Sequence, residues 1–183
     1  MMAAYVRFAS LNPYWYVPPD LAAERIALNV VKQGVQYLDR LGYQVVSDFV
    51  DDPKIFDPSI IDWQAVADGR QKVLIRQQPG PHNSMGRIKF MFPNEFAIYL
   101  HDTPEKALFQ QDVRAASHGC IRLEKPAELA QWVLGWDAGR VQEAMETGAD
   151  NQQIDLPQSI PVYIAYFTAY ARDGQLYFGN DVY

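Results

Sequence analysis

The stretch Lys72–His101, "KVLIRQQPGPHNSMGRIKFMFPNEFAIYLH", decides the fold class of this chain. It holds three runs rich in β-branched and aromatic residues: Lys72–Gln78, Arg87–Phe92 and Glu95–His101. Such residues favour strands, and the Pro, Gly and Asn clusters between the runs are typical of turns. The stretch therefore predicts three consecutive strands, the last of which ends at a histidine.

The segment before this stretch predicts a strand followed by helices. "AYVRFASLNPYWYVPP" (Ala4–Pro19) is typical of a strand that stops at a proline pair. Beyond it, Asp20 is a candidate helix cap, apolar residues follow at helical spacing, and Gly42 is placed as a C-cap glycine. A short strand and a helical turn within Asp57–Gly69 complete this part. Because it is helix-rich and lies between strand-rich parts, we predict residues 20–70 to be a sub-domain inserted into a domain of residues 4–183.

The segment after this stretch predicts two helices and a closing hairpin. Pro126 suits the first position of a helix that ends at Gly135, and "GRVQEAMETG" predicts a second helix. Ile160–Tyr170 and Gln175–Gly179 flank an "RDG" turn and predict a β-hairpin. The expected fold class is therefore mainly β (α+β) with helical additions.

Composition excludes some classes of function. The chain has 183 residues, of which 49% are hydrophobic, and a formal net charge of -6. This charge argues against a basic nucleic-acid-binding surface. No apolar run approaches the roughly 20 residues that span a bilayer, and the first residues do not resemble a signal peptide. The chain is thus expected to be cytoplasmic or a piece of a longer precursor.

The single cysteine, Cys120, lies in "ASHGCIRLEK" (Ala116–Lys125), and two histidines are candidates to activate it. A thiol is a good nucleophile only as the thiolate, which a nearby imidazolium favours. His101 ends a predicted strand, and the loop that follows is long enough to fold back towards Cys120. His118 would point to the same side as Cys120 in an extended segment, and Gly119 permits a tight turn.

Other interpretations of these residues remain open at this point. A lone cysteine is most often a small buried hydrophobe, and a lone histidine is usually structural. A metal site could draw its ligands from His82, His101, Asp102, His118 and Cys120. However, no C-x-x-C or H-x-x-x-H pair is present, so the metal signal is weak.

The segment His101–Leu123 resembles the active-site signature of the L,D-transpeptidases, the YkuD-like catalytic domain. That signature is a histidine, a spacer, and Ser/Thr-His-Gly-Cys followed by an apolar residue and Asn or Arg; here it is His101 and then Ser117–Arg122. "NPYWYVPP" and "IPVYIAYFTAY" resemble the YcbB-type branch of Gram-negative bacteria. The resemblance implies a β-sandwich interrupted by a helical substrate-capping sub-domain. Members of this branch carry more sequence upstream, so we expect the first strands of the sheet to be missing.

The resemblance also implies a mechanism. Cys120 would be the nucleophile and His101 the general base, held by the backbone carbonyl of Asp102 or, alternatively, by its side chain. The thiolate would attack the carbonyl between the third and fourth residues of a peptidoglycan tetrapeptide stem and release D-alanine. The amine of a second stem would resolve the thioacyl-enzyme into a 3→3 cross-link, whereas water would make the enzyme an L,D-carboxypeptidase.

Further site residues are expected around this pair. Backbone N–H groups near His118, Gly119 and Cys120 would form an oxyanion hole. Arg122 would pair with a stem carboxylate or support the loop, with a plain salt bridge as the alternative. The Ser117 hydroxyl would orient the loop. The remaining candidates for the substrate groove, each with core packing or turn formation as the alternative, are Trp15, Tyr16, Asn83 and Tyr99.

The expected partners are peptidoglycan tetrapeptide stems and carbapenem-type inhibitors, with no nucleic acid, no metal and no cofactor. A monomer in the periplasm or cell envelope is expected. One alternative is an NlpC/P60-type endopeptidase, but those enzymes usually place the cysteine before the histidine. Another is a non-catalytic domain that only binds cell-wall peptide.

Overall fold

The computed structural model describes residues 1–117 and 119–181. Its strands, in chain order, are β1 (Met2–Leu11), β2 (Trp15–Tyr16), β3 (Tyr43–Val46), β4 (Ile55–Phe56), β5 (Leu74–Gln77), β6 (Ile88–Met91), β7 (Leu100–His101), β8 (Ile121–Arg122), β9 (Gln152–Ile164), β10 (Ala169–Arg172) and β11 (Gln175–Phe178). Its α-helices are α1 (Pro19–Leu21), α2 (Leu28–Gln33), α3 (Gln36–Leu41), α4 (Trp63–Ala67), α5 (Pro126–Leu134) and α6 (Ala138–Thr147). The mainly β (α+β) fold class is confirmed. Within the described ranges, no helix is both long enough and apolar enough to cross a membrane.

The main sheet has five strands in the order β8-β7-β6-β1-β9. All neighbours are antiparallel except β7 and β8, which run parallel. One face is apolar and packs with α5 and α6 into a core that includes Ala9, Ile88, Phe90, Val133 and Val141. Because side chains alternate along a strand, the other face carries a different set of residues. That face holds a polar row across four strands: Ser10, Lys89, His101 and Arg122.

A second hydrophobic core is formed by the chain segment that connects two neighbouring strands of the main sheet. β1 and β6 pair directly, and the chain between them forms a four-stranded sheet, β2-β5-β3-β4, together with helices α1 to α4. Its core includes Trp15, Ile26, Leu38 and Ile75. This unit contains residues 20–70 as well as β2 and β5 on either side of them. Its function as a substrate cap stays a prediction.

The first helix differs from the expected one in its start and its buried face. Pro18 is the N-cap, and Asp20 lies in the first turn without a capping bond, so the predicted cap was wrong. A π-helical segment, Ala22–Ala27, follows α1 and widens the turn. The wider turn changes which residues face the core, because the helical period no longer holds through it. As a result Leu28 is exposed. Gly42 adopts the left-handed C-cap conformation that was predicted.

The strand that leads to His101 is shorter than predicted. Asn94 Oδ1 accepts bonds from the N–H groups of Phe96 and Ile98, and its Nδ2 donates to two carbonyls. Ala97 has a positive φ of 51°. The segment therefore turns instead of extending, and only Leu100–His101 is strand. Because this strand is so short, the position of His101 depends on its pairing with β6 and β8 on either side.

The C-terminal hairpin is also shifted. Ile160–Ile164 belongs to β9 and pairs with β1 in the main sheet, so the predicted first arm was wrong. The hairpin consists of β10 and β11 around Asp173 and Gly174, which both have positive φ. A two-residue loop with this geometry matches the right-handed twist of the strands.

Candidate active site

Strand pairing places Cys120 next to the end of β7. Leu100 pairs with Ile121 and His101 with Arg122, through bonds from Ile121 N to Tyr99 O (3.1 Å) and from Leu123 N to His101 O (2.8 Å). Cys120, one residue before β8, therefore lies beside the residue that precedes Leu100. Its thiol is free and partly exposed. In the described part of the chain, no hydrogen bond joins the Cys120 thiol to His101; such bonds often tighten only when substrate is bound.

His101 is buried, with 3% of its surface exposed. Its Nδ1 bonds to the backbone carbonyl oxygen of Asp102, so in the neutral ring Nδ1 carries the proton and Nε2 the lone pair. Burial lowers the pKa of His101, and the nearby Arg122 cation lowers it further, against the opposing effect of Asp102. The ring is therefore held in the neutral form that a general base requires.

The carboxylate of Asp102 helps to hold the segment that carries His101 through contacts with other parts of the chain. Its Oδ2 accepts the N–H of Arg87 at 2.8 Å, and its Oδ1 lies 2.8 Å from Lys106 Nζ. Gly86, at φ 60°, lies so close that a Cβ there would overlap the Asp102 carboxylate. Of the two roles considered for Asp102, the backbone carbonyl is the group that meets the histidine.

Lys106 connects the histidine segment to the cysteine segment. Besides Asp102, its Nζ donates to the carbonyls of Leu123 (3.1 Å) and Glu124 (3.0 Å). All three N–H groups of the ammonium are thus used. Sequence reasoning missed this residue, although its spacing of four from Asp102 in "DTPEK" was a usable signal.

The loop before Cys120 is closed by Ser117. Its Oγ donates to the Cys120 carbonyl at 2.7 Å and accepts the Gly119 N–H at 3.3 Å. Gly119 has a φ of 124°, which favours glycine. Among the described residues, the Cys120 N–H has no acceptor, so it remains the available oxyanion donor of this loop. His118 lies outside the described residues.

Arg122 braces the same loop. Its Nη1 donates to the Ala116 carbonyl at 2.8 Å, and its Nη2 lies 3.4 Å from Glu105 Oε2. Its Nε is buried and has no partner among the residues that the structure describes. These contacts fit loop support, which was one of the roles considered for Arg122.

Tyr99 is a neighbour of both candidate catalytic residues. Burial raises its pKa, and the charge and hydrogen bonding of the Cys120 side chain raise it further. Its ring meets His101 edge-on, with centroids 5.9 Å apart. It also packs against both hydrophobic cores. Strand pairing thus places Tyr99 beside Cys120, and the two side chains influence each other electrostatically.

The family assignment rests on sequence comparisons that agree with this geometry. The family model for the YkuD L,D-transpeptidase catalytic domain matches residues 1–164. The chain belongs to this family. A curated Haemophilus influenzae protein named "Putative L,D-transpeptidase" is 31% identical over 176 residues, which are 94% of this chain. The chain spans about a third of that relative's length, since the match covers 35% of it. The YcbB-type branch stays a prediction.

The remaining candidates contribute to the fold of this L,D-transpeptidase-family domain. Asn83 is 1% exposed, and its Nδ2 donates to the carbonyls of Pro13 and Gln78 while its Oδ1 accepts the Met85 N–H. Its amide is thus used inside the turn, which contradicts the expectation that it faces a donor site. Trp15 is buried in the second core.

A metal site finds no support in the described ranges, 1–117 and 119–181. There, no group of three His, Cys, Asp or Glu side chains is placed to hold an ion. The His82 carbonyl accepts a bond from Gln77 Nε2 and so belongs to a turn contact.

Proposed function

We propose that this domain is a peptidoglycan L,D-transpeptidase that forms 3→3 cross-links through a thioacyl-enzyme on Cys120. The observation that carries the proposal is the parallel pairing of β7 and β8. It puts Cys120 beside Tyr99, two residues before His101 on the paired strand, while the Asp102 carbonyl bonds to His101 Nδ1 and leaves Nε2 to act as the base. Membership of the L,D-transpeptidase catalytic-domain family supports the same chemistry.

In the acylation step, His101 Nε2 accepts the Cys120 proton and Sγ attacks the carbonyl carbon between the third and fourth stem residues. The S–C bond forms, the C–N bond breaks, and His101 returns the proton to the departing amine of D-alanine. The Cys120 N–H would stabilise the oxyanion, and one such donor contributes about 3–4 kcal/mol in comparable enzymes. The Tyr99 hydroxyl would orient the thiol.

In the second step, the side-chain amine of the third residue of another stem attacks the thioester. His101 takes the proton of this amine, the new amide bond forms, and Cys120 leaves as thiolate and regains the proton. Water in place of the amine gives L,D-carboxypeptidase activity. Ser117 and Arg122 would act by holding the loop that carries Cys120.

Because peptidoglycan is the proposed substrate, we propose that the domain acts in the periplasm or cell envelope. Carbapenems are strained acyl donors, so the same thiol would open their ring and form a stable thioester. We therefore expect them to inhibit the domain by acylating Cys120.

The first test is intact-protein mass spectrometry after incubation with a carbapenem. We expect one drug-sized adduct on the parent protein, none on Cys120→Ala, and slow formation on His101→Gln. Incubation with tetrapeptide muropeptides should then give tetrapeptide–tripeptide dimers. A folded parent protein that forms neither adduct nor dimer would refute the proposal and favour a domain that only binds cell-wall peptide.

A further inference from the structure

Lys89 shares the sheet face of the candidate active site. It lies on β6 opposite His101 of β7 and opposite Ser10 of β1. Directly paired residues in antiparallel strands point to the same side, so the Lys89 side chain and the candidate base lie on one face. Its neighbours on β6, Ile88 and Phe90, point the other way into the apolar core.

A chain of contacts connects Lys89 to the nucleophile. The Lys89 Nζ lies 5.9 Å from the centroid of the Tyr99 ring. Tyr99 in turn lies beside Cys120, because Leu100 and Ile121, the residues that follow them, are paired across β7 and β8. An ammonium group is thus positioned one aromatic side chain away from the thiol.

Lys89 differs from Arg122 and Lys106, two other cations near this site. Arg122 is paired with Glu105, and Lys106 is paired with Asp102. Within residues 1–117 and 119–181, no acidic side chain pairs with Lys89, and its ammonium lies near the Tyr99 ring. It is partly buried, and burial lowers its pKa.

An ammonium in this position lowers the stability of the fold. Burying a charge without a counter-ion costs free energy, and an apolar side chain on a sheet would avoid that cost. Residues that oppose stability are often functional, because they are matched to a ligand instead of to the fold. The Lys89 ammonium, which has no acidic partner within residues 1–117 and 119–181, is therefore suited to bind an anionic group of a ligand.

We propose that Lys89 binds the C-terminal carboxylate of the peptide donor and so selects donors whose scissile bond precedes the last residue. The inference rests on the proposed function. In such a donor the carboxylate lies a single residue beyond the scissile carbonyl. With that carbonyl at Cys120, the carboxylate extends along the Tyr99 ring towards Lys89. A donor with further residues after the scissile bond has no carboxylate at that place.

The test compares two donors on four proteins. The donors are a tetrapeptide stem with a free C-terminal carboxylate and the same peptide with a C-terminal carboxamide. The proteins are the parent, Lys89→Met, Lys89→Arg and Lys32→Met. Lys32 is an exposed lysine of helix α2, in the unit formed by the chain between β1 and β6. The kcat/KM for release of the fourth residue is measured for each combination.

We expect the parent to prefer the free acid by about 10-fold to 100-fold, the usual size for a hydrogen bond between charged groups. Lys89→Met should lose this preference by a rise in KM for the acid, with the amide almost unchanged. Lys89→Arg should keep part of the preference, and Lys32→Met all of it. Lys89→Met should also unfold at the same or a higher temperature than the parent.

Two outcomes overturn the inference without affecting the proposed function: a parent that uses both donors equally, or a Lys89→Met variant that loses both to the same extent. Release of neither donor, with no carbapenem adduct on the parent, would refute the proposed function and this inference together. If Lys89→Met does not fold, calorimetric binding of both peptides to Cys120→Ala and to Cys120→Ala/Lys89→Arg gives the same comparison. Equal affinities for acid and amide on Cys120→Ala would then contradict the inference.

Discussion

Lys106 Nζ lies 2.8 Å from Asp102 Oδ1 and ties the residue after the candidate base to the segment that follows the candidate nucleophile. β7 and β8 are two residues long, and the bonds from Ile121 N to Tyr99 O and from Leu123 N to His101 O flank their pairing. The bonds from Lys106 to the carbonyls of Leu123 and Glu124 add to this short pairing. The relative position of His101 and Cys120 therefore depends on a side chain as well as on the sheet.

Lys106→Met should slow carbapenem acylation about tenfold and lower the free energy of unfolding by about 1–2 kcal/mol, the usual contribution of hydrogen bonds to a charged group. The Asp102 charge raises the pKa of His101. Without the compensating ammonium this effect grows, so the acidic limb of the rate profile should move to higher pH. The profile is measured by mass spectrometry of the adduct.

Two variants serve as controls for Lys106→Met. Lys106→Arg should recover part of the rate, and Lys125→Met, which breaks an exposed pair with Glu128, should behave as the parent does. An unchanged pH profile in Lys106→Met would show that the lysine supports the fold alone.

The pH dependence of the parent should reflect the buried imidazole. The pKa of His101 is lowered from its usual 6.5, so the base stays neutral below that pH, and the acidic limb of acylation should fall below pH 6.5. The unfolded chain takes up this proton at a higher pH than the folded one. Stability from this group is therefore complete above the unfolded pKa and is lost as the pH falls towards the folded pKa.

Acylation rates and denaturant unfolding between pH 5 and 8 check both expectations about His101. His101→Gln should remove its part of the pH dependence of stability. An acidic limb above pH 6.5 would contradict the electrostatic description.

Gly86→Ala should destabilise the fold by about 1–3 kcal/mol, because the new Cβ would overlap the Asp102 carboxylate and the residue has a φ of 60°. Displacing Asp102 should also slow acylation. Gly69→Ala is the matched control: its φ is 73°, but no atom lies within 4 Å of the new Cβ. Equal losses of stability in urea for the two variants would show that backbone strain alone is responsible.

Tyr99→Phe keeps the ring that packs against the two cores and removes the hydroxyl of the residue beside Cys120. Acylation should slow about tenfold, while the free energy of unfolding should change by less than about 1 kcal/mol. Tyr163→Phe, at a residue that is 77% exposed, should change neither. A Tyr99→Phe variant that acylates at the parent rate would exclude a role for this hydroxyl.

Features that depend on neighbours along the chain could be predicted from the residues alone. The apolar and aromatic runs at Leu74–Gln77 and Ile88–Met91 are strands, and Pro126 begins a helix. Gly42 ends another in the left-handed conformation. The order of His101 and Cys120 within a multi-residue signature was enough to predict the family. These features need only local dihedral preferences, side-chain periodicity and a contiguous motif.

The side chains that meet across the sheet could not be predicted, because strand pairing brings them together. In the sequence, Lys89 is one more residue of a predicted apolar strand. No feature of its neighbours along the chain indicates that it lies opposite His101. The contacts of Asp102 with Gly86 and Lys106 likewise join separate segments. Such contacts depend on strand register, which the packing of the whole sheet selects, because a slip of one residue would put Lys89 on the apolar face.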